Sequence, residues 1–289
     1  MNITPWRELS ADQLDWAYDQ TQHANNMRDV LTRCANKSAA VWARGVRPVQ
    51  LAYGISPIET LHWYRSHKPN APVVFLIHGG AWRSGRAQEY AFGVEWMLAA
   101  GMDVVIPDFA SVIDTQGLLL PMALQLQQAL AFVAKQSSAM ECDAARIHVC
   151  GHSSGAHLAA CLPTLDWSAM GFDKAPIASL LCCSGMFDLE PVSQSSRSRY
   201  VSFDAACIAK LSPVKHVSAF GTPVRVLCGT HESPEFKRQS FEFHELLVHH
   251  NANAELHWGA DLNHFEILET LETAEGFFGK ALVLLAENI

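Results

Sequence analysis

The 289-residue sequence has no run of basic side chains, and with a formal charge of −8 it offers no footprint for nucleic acid or an anionic membrane surface. It has neither an apolar stretch of bilayer-spanning length nor a charged leader running into an apolar segment, so insertion and secretion are not expected. The last apolar segment, Ala281-Leu282-Val283-Leu284-Leu285-Ala286, is short and belongs in a core. The eight cysteines show no metal-type spacing and read as small buried groups in a reducing cytoplasm, with Cys182 and Cys183 on opposite faces of any strand they share. One superficial zinc pattern exists, His244-Glu245-Leu246-Leu247-Val248-His249. Its histidines are five apart, which turns the second off the helical face that a spacing of four would share. No metal or cofactor is expected, and no repeat or low-complexity segment interrupts the chain.

What is present is apolar. Such residues make up 49% of the sequence, enough to bury a large core in one domain, residues 1–289. Strand-like runs near 58–65, 72–77, 103–107, 146–150, 178–183, 223–228 and 254–258 alternate with helix-like segments near 11–35, 87–100, 119–137, 154–164, 235–250 and 265–287. That alternation predicts an α/β fold, a mostly parallel central sheet with helices on both faces, and a site at the carboxyl ends of the strands. Residues 1–48, with Trp6, Trp16, Tyr18 and Trp42, form a helical extension. It either folds over that edge as a lid or packs on the flank of the sheet.

Chemistry enters at Gly151-His152-Ser153-Ser154-Gly155, directly after the apolar run Arg146-Ile147-His148-Val149-Cys150. A strand, a sharp turn and a helix with serine at the apex make a nucleophile elbow, and the flanking glycines relieve collisions around a strained apex. This nominates Ser153 rather than Ser154 as nucleophile. The run 73–77 breaks into His78-Gly79-Gly80-Ala81-Trp82, where paired glycines let N–H groups approach a ligand. Donors from Gly79, Gly80 or Ala81, with the N–H of Ser154, would surround a developing oxyanion.

A serine hydroxyl needs an imidazole to take its proton. Among fourteen histidines, His264 lies late in the chain, between a strand-like segment and the last helix, where such a base belongs; His152 is fixed within the elbow and His157 suits helix packing. The acid that orients the base should lie between serine and histidine, past the strand-like 224–229. Glu232 is the first carboxylate there. Glu235 would open a helix behind Pro234 and complement its dipole, and Asp261 would shape the loop before His264. Trp82 and Arg83 follow the glycine loop and are candidates to offer an aromatic surface and a carboxylate partner; the alternatives are a buried indole and a solvated arginine.

Together with Ser184-Gly185-Met186-Phe187-Asp188-Leu189-Glu190-Pro191, Glu232-Ser233-Pro234-Glu235-Phe236 and Asn263-His264-Phe265, and more loosely Leu14-Asp15-Trp16-Ala17-Tyr18, these motifs resemble the α/β-hydrolase superfamily. Within it they are most similar to the kynurenine formamidase-like branch, the arylformamidases. The resemblance spans about residues 73 to 266 and departs where the family usually carries aspartate and this chain has Glu232. It implies a metal-independent serine hydrolase that removes a small acyl group, formyl, from an aromatic amine such as formylated kynurenine. The branch also contains general esterases, so a short-chain carboxylesterase with the same triad is the alternative. A binding protein on this scaffold would have lost part of the triad, and here every member has a candidate. The expected partner is a small acyl amide or ester, and a homodimer is left open.

Overall fold

The alternate burial of successive side chains decides the architecture. In the strand containing Val73, Val74, Phe75, Leu76 and Ile77, the odd-numbered residues enter one apolar cluster and the even-numbered ones another, so the strand is covered on both faces. The computed structural model describes residues 5–250 and 252–287. Its strands are β1 (Val49–Ala52), β2 (Thr60–Tyr64), β3 (Ala71–Ile77), β4 (Asp103–Pro107), β5 (Cys142–His152), β6 (Ser179–Cys183), β7 (Val224–Gly229) and β8 (Ala254–Gly259). They form one sheet in the order β1-β2-β4-β3-β5-β6-β7-β8, antiparallel at β1–β2 and β2–β4 and parallel elsewhere.

The helices are α1 (Ala11–Tyr18), α2 (Met27–Ala43), α3 (Val94–Ala99), α4 (Leu120–Gln136), α5 (Ser154–Cys161), α6 (Leu189–Ser193), α7 (Ala205–Leu211), α8 (Pro234–His249), α9 (Glu266–Glu269) and α10 (Phe277–Glu287). Buried residues of α1, α4, α5 and α8 join the cluster on one face of the sheet, and those of α2, α3, α9 and α10 the cluster on the other. Cys182 and Cys183 divide between the two clusters, as neighbours on a strand must. The eight cysteines are all free, and among the described residues no helix is long and apolar enough to cross a membrane.

Several boundaries differ from the sequence pattern for local reasons. Strand β1 was not foreseen because it is a short edge strand of four residues, largely exposed. The expected helix 11–35 is two helices. Between them Asp19 caps a 3₁₀ turn, Gln20–Gln22, by accepting the Thr21 N–H. Residues 87–93 of the next segment are 3₁₀ rather than α, and α5 stops at Cys161 ahead of Pro163. The last segment divides into α9, a 3₁₀ turn and α10. Helices α6 and α7 lie in residues 184–222, to which the pattern assigned nothing.

Residues 1–4 of the N-terminal extension lie outside the described residues; the remainder contacts the segments that follow β7 and β8. Tyr18 donates to the Glu235 carboxylate at 2.7 Å, Gln20 to the Ser233 hydroxyl, and Asn26 to Glu266 at 2.6 Å. Arg33 and Lys37 of α2 ion-pair with Glu269.

Candidate active site

Five strands deliver polar residues to one edge: β3 leads to His78, β5 to Ser153, β6 to Ser184, β7 to Glu232 and β8 to His264. Ser153 has φ 58° and ψ −125°, a conformation that L-residues seldom adopt, and it lifts the side chain off the turn between β5 and α5. Its N–H donates to the Cys183 carbonyl at 2.9 Å, tying the turn to β6. The glycines are required by contact. A Cβ on Gly151 would stand 2.4 Å from the Gly155 oxygen, and one on Gly155 would stand 2.3 Å from the Ile77 oxygen of β3. The second clash shows why the elbow and the His78 loop can lie so close together.

Ser153, His264 and Glu232 form one hydrogen-bonded series. The Ser153 hydroxyl is 2.9 Å from His264 Nε2, and His264 Nδ1 is 2.7 Å from Glu232 Oε2. A carboxylate can only accept, so Nδ1 carries the proton and Nε2 presents its lone pair to the serine. The three are 7%, 3% and 2% exposed, which excludes bulk water from the series. The other oxygen of Glu232 accepts from the Gly229 N–H at 2.8 Å and from the Ser184 hydroxyl. Both glutamate oxygens are thereby fixed. The His264 ring is packed against Phe236 and Phe265, with centroids 4.9 and 5.1 Å away.

The rival carboxylates go elsewhere. Glu235 stands in the first turn of α8, as expected, but is also buried and held by both Arg238 and the Tyr18 hydroxyl. Asp261 is exposed, has φ 58° and donates its N–H to Thr230 Oγ1, so it shapes the loop.

Of the loop N–H groups nominated for an oxyanion, Gly79 is corrected by the structure: its N–H is taken by the Tyr90 hydroxyl at 3.0 Å. The N–H groups of Gly80, Ala81 and Ser154 have no partner among the described residues. Gly80 at φ 117° and Ala81 at φ 55° make the turn that exposes them, and a Cβ on Gly80 would meet the Ser84 oxygen at 2.1 Å.

Trp82 is also corrected as an open aromatic surface. Its φ of 62° turns the indole inward, where it is 2% exposed and donates Nε1–H to His157 Nδ1 at 3.2 Å. His157 donates its single ring N–H, on Nε2, to the Leu211 carbonyl at 2.8 Å, in keeping with a packing role in α5. Burial pushes its pKa down to about 4. Arg83 is exposed, with its guanidinium 4.4 Å from the centre of the Tyr200 ring. His244 and His249 point to no shared site, and among the described residues no group of three metal-ligating side chains is gathered.

Three contributors were not legible in the sequence. Tyr90 fixes the glycine loop, Ser184 fixes the glutamate, and Asn26 accepts from the Asn263 side chain at 2.9 Å beside His264. Ser184 alone had a signal, since a polar residue follows a buried strand that adjoins β7.

The sheet order, the elbow and the hydrogen-bonded series define an α/β-hydrolase, an enzyme. The chain belongs to the BD-FAE family, whose model matches residues 61–247. It is similar to the kynurenine formamidase of Danio rerio, with 27% identity over 283 residues that cover 93% of this chain and 94% of that protein. Among solved structures it resembles a proposed thioesterase from Silicibacter sp. TM1040, with TM-score 0.78, 23% identity, and coverage of 94% of this chain and 99% of that one. It also resembles the esterase LipW of Mycobacterium marinum, with TM-score 0.72, 18% identity, and coverage of 92% and 90%.

Proposed function

We propose that this chain is a cytoplasmic serine hydrolase that removes the formyl group from an arylformamide of the formylkynurenine type. The observation that carries the chemistry is the series Ser153–His264–Glu232, complete and buried. The likeness to a kynurenine formamidase along nearly the whole chain supports the substrate class.

In this reading Ser153 Oγ attacks the formyl carbon while His264 Nε2 takes its proton, and Glu232 stabilises the imidazolium. The N–H groups of Gly80, Ala81 and Ser154 receive the oxyanion; removing one such donor typically costs about 10²–10³ in rate. The C–N bond then breaks, His264 returns the proton to the departing aryl amine, and a formyl-serine ester remains. Water, deprotonated by His264, releases formate and restores Ser153. An aryl amine leaves more readily than an alkyl amine, so the series suffices without a stronger electrophile.

A short-chain carboxylesterase is the second reading, because the Ser153–His264 geometry serves an oxygen leaving group equally well. Specificity constants for formylkynurenine and for short p-nitrophenyl esters separate the two. The proposal expects the formamide to be the better substrate once intrinsic reactivity is allowed for; measurable ester turnover with no formamide turnover would transfer the assignment.

A further inference from the structure

The neighbourhood of Trp82 contains a buried cation with no direct ion pair; the nearby Asp19 carboxylate attracts it through space without touching it. Arg197, in the 3₁₀ turn Ser196–Arg199, is 9% exposed, and no carboxylate oxygen lies within ion-pair distance of it among the described residues. Adjacent carboxylates are engaged: Asp15 pairs with Arg199, Glu190 with Arg7, and Asp19 accepts from Thr21 and Gln22. A guanidinium has five N–H donors, of which Arg197 uses one on the Tyr18 carbonyl at 2.8 Å and one on the Tyr200 hydroxyl at 2.9 Å. Its Nε is buried without a partner. A buried guanidinium with an unpartnered Nε and no carboxylate in contact is costly to keep, so its retention calls for a reason beyond packing.

Its location supplies one. The Arg197 guanidinium lies 5.7 Å from the centre of the Trp82 ring. Trp82 follows the oxyanion loop, and its indole binds His157, one helical turn beyond Ser153. The Tyr200 hydroxyl accepts from Arg197 Nη1, and the face of its ring lies against the Arg83 guanidinium. Arg83 likewise has no carboxylate partner among the described residues. Two guanidinium groups thus flank one tyrosine beside Trp82, the residue that follows Gly80 and Ala81. A planar carboxylate would satisfy the free donors in pairs.

We infer that Arg197, assisted by Arg83 and held by Tyr200, receives a carboxylate on the leaving-group side of the substrate. This rests on the hydrolase reading above and narrows it to anionic substrates, such as an amino acid whose aromatic amine is acylated. The sequence suggested only Arg83 for this task; burial and the missing ion pair single out Arg197.

The test compares two substrate pairs. One is a formanilide bearing a keto acid side chain, against the same ketone without the carboxylate; the other is the corresponding pair of aryl acetates. Arg197→Met should lower the anionic-to-neutral ratio of kcat/KM by about 10- to 100-fold, the range expected of a charged hydrogen-bonded contact, and Arg197→Lys should restore part of it. Equal losses on both members of a pair would make Arg197 a strut for Tyr18 and overturn the inference. Should Arg197→Met fail to fold, the same ratio in Arg83→Met and Tyr200→Phe decides, since neither removes the Tyr18 contact; an unchanged ratio in both would overturn the inference. If the native enzyme cleaves the esters but neither formamide, the formamidase reading fails while the ester pair still tests the arginines.

Discussion

His152 Nε2 donates to the backbone carbonyl of His264 at 2.8 Å, so the residue before the elbow serine holds the loop of the base. The two rings are 4.7 Å apart. Burial, and then the nearby charge that His264 would carry, push the His152 pKa well below its ordinary value and keep it neutral. A neutral ring donating from Nε2 adds no second cation when His264 accepts the serine proton. His152→Ala should therefore lower kcat by about 10- to 100-fold with little change in KM, because a displaced base harms the transition state more than binding. Steady-state kinetics check this split.

Glu232→Gln should cut kcat by about 10³-fold or more with KM within about twofold, since the amide favours the wrong imidazole tautomer and cannot stabilise the imidazolium. Ser184→Ala should cost less. It leaves the Gly229 N–H on the same glutamate oxygen, and a single hydrogen bond to a charged group is worth about 1.5–3 kcal/mol. Kinetics on the purified variants, with circular dichroism to verify folding, distinguish the two.

Gly155→Ala should destabilise the protein by about 1–3 kcal/mol or more, because the added methyl meets the backbone oxygens of Ile77 and His78 at 2.3 and 2.5 Å and cannot rotate away. Gly221→Ala is the control, with nothing within 4 Å of its Cβ. A thermal melt that places Gly155→Ala at the native Tm would contradict the close approach of α5 and β3.

Acid should unfold the protein through its buried histidines. Burial lowers the pKa of His148 and of His157 to about 4. In the unfolded chain both titrate near 6.5, so between about 4 and 6.5 the unfolded state binds more protons and stability rises with pH. The stabilisation is complete above about pH 6.5 and is lost as pH falls towards 4, amounting to about 3 kcal/mol for each ring. Urea midpoints measured from pH 4.5 to 7.5 should climb, and His148→Asn should flatten the slope.

The sequence made the order of the site legible because each chemical group follows a strand: β3, β5 and β7 carry buried apolar runs, and the edge strand β8 has apolar residues at alternate positions. The glycine-flanked elbow marks Ser153, and chain order past the following strands then points to Glu232 and His264. What escaped depended on contacts between distant segments. Nothing local marks Tyr90 as the partner of Gly79, or Asn26 as the partner of Asn263. Trp82 looked like a platform from its position, and only the positive φ at residues 81 and 82 reveals that the indole turns inward. Edge strand β1 was invisible for the opposite reason, having no buried face to impose a pattern.

Covalent labelling distinguishes Ser153 from Ser154 as the nucleophile. A fluorophosphonate mimics the acyl group, and its adduct survives for mapping by mass spectrometry. The account predicts one adduct per chain, on the peptide containing Gly151-His152-Ser153-Ser154-Gly155 and assigned to Ser153, with loss of activity in step with labelling. His264→Ala should slow labelling by several powers of ten. An adduct on Ser154, or full hydrolytic activity in a chain whose Ser153 is quantitatively modified, would contradict it.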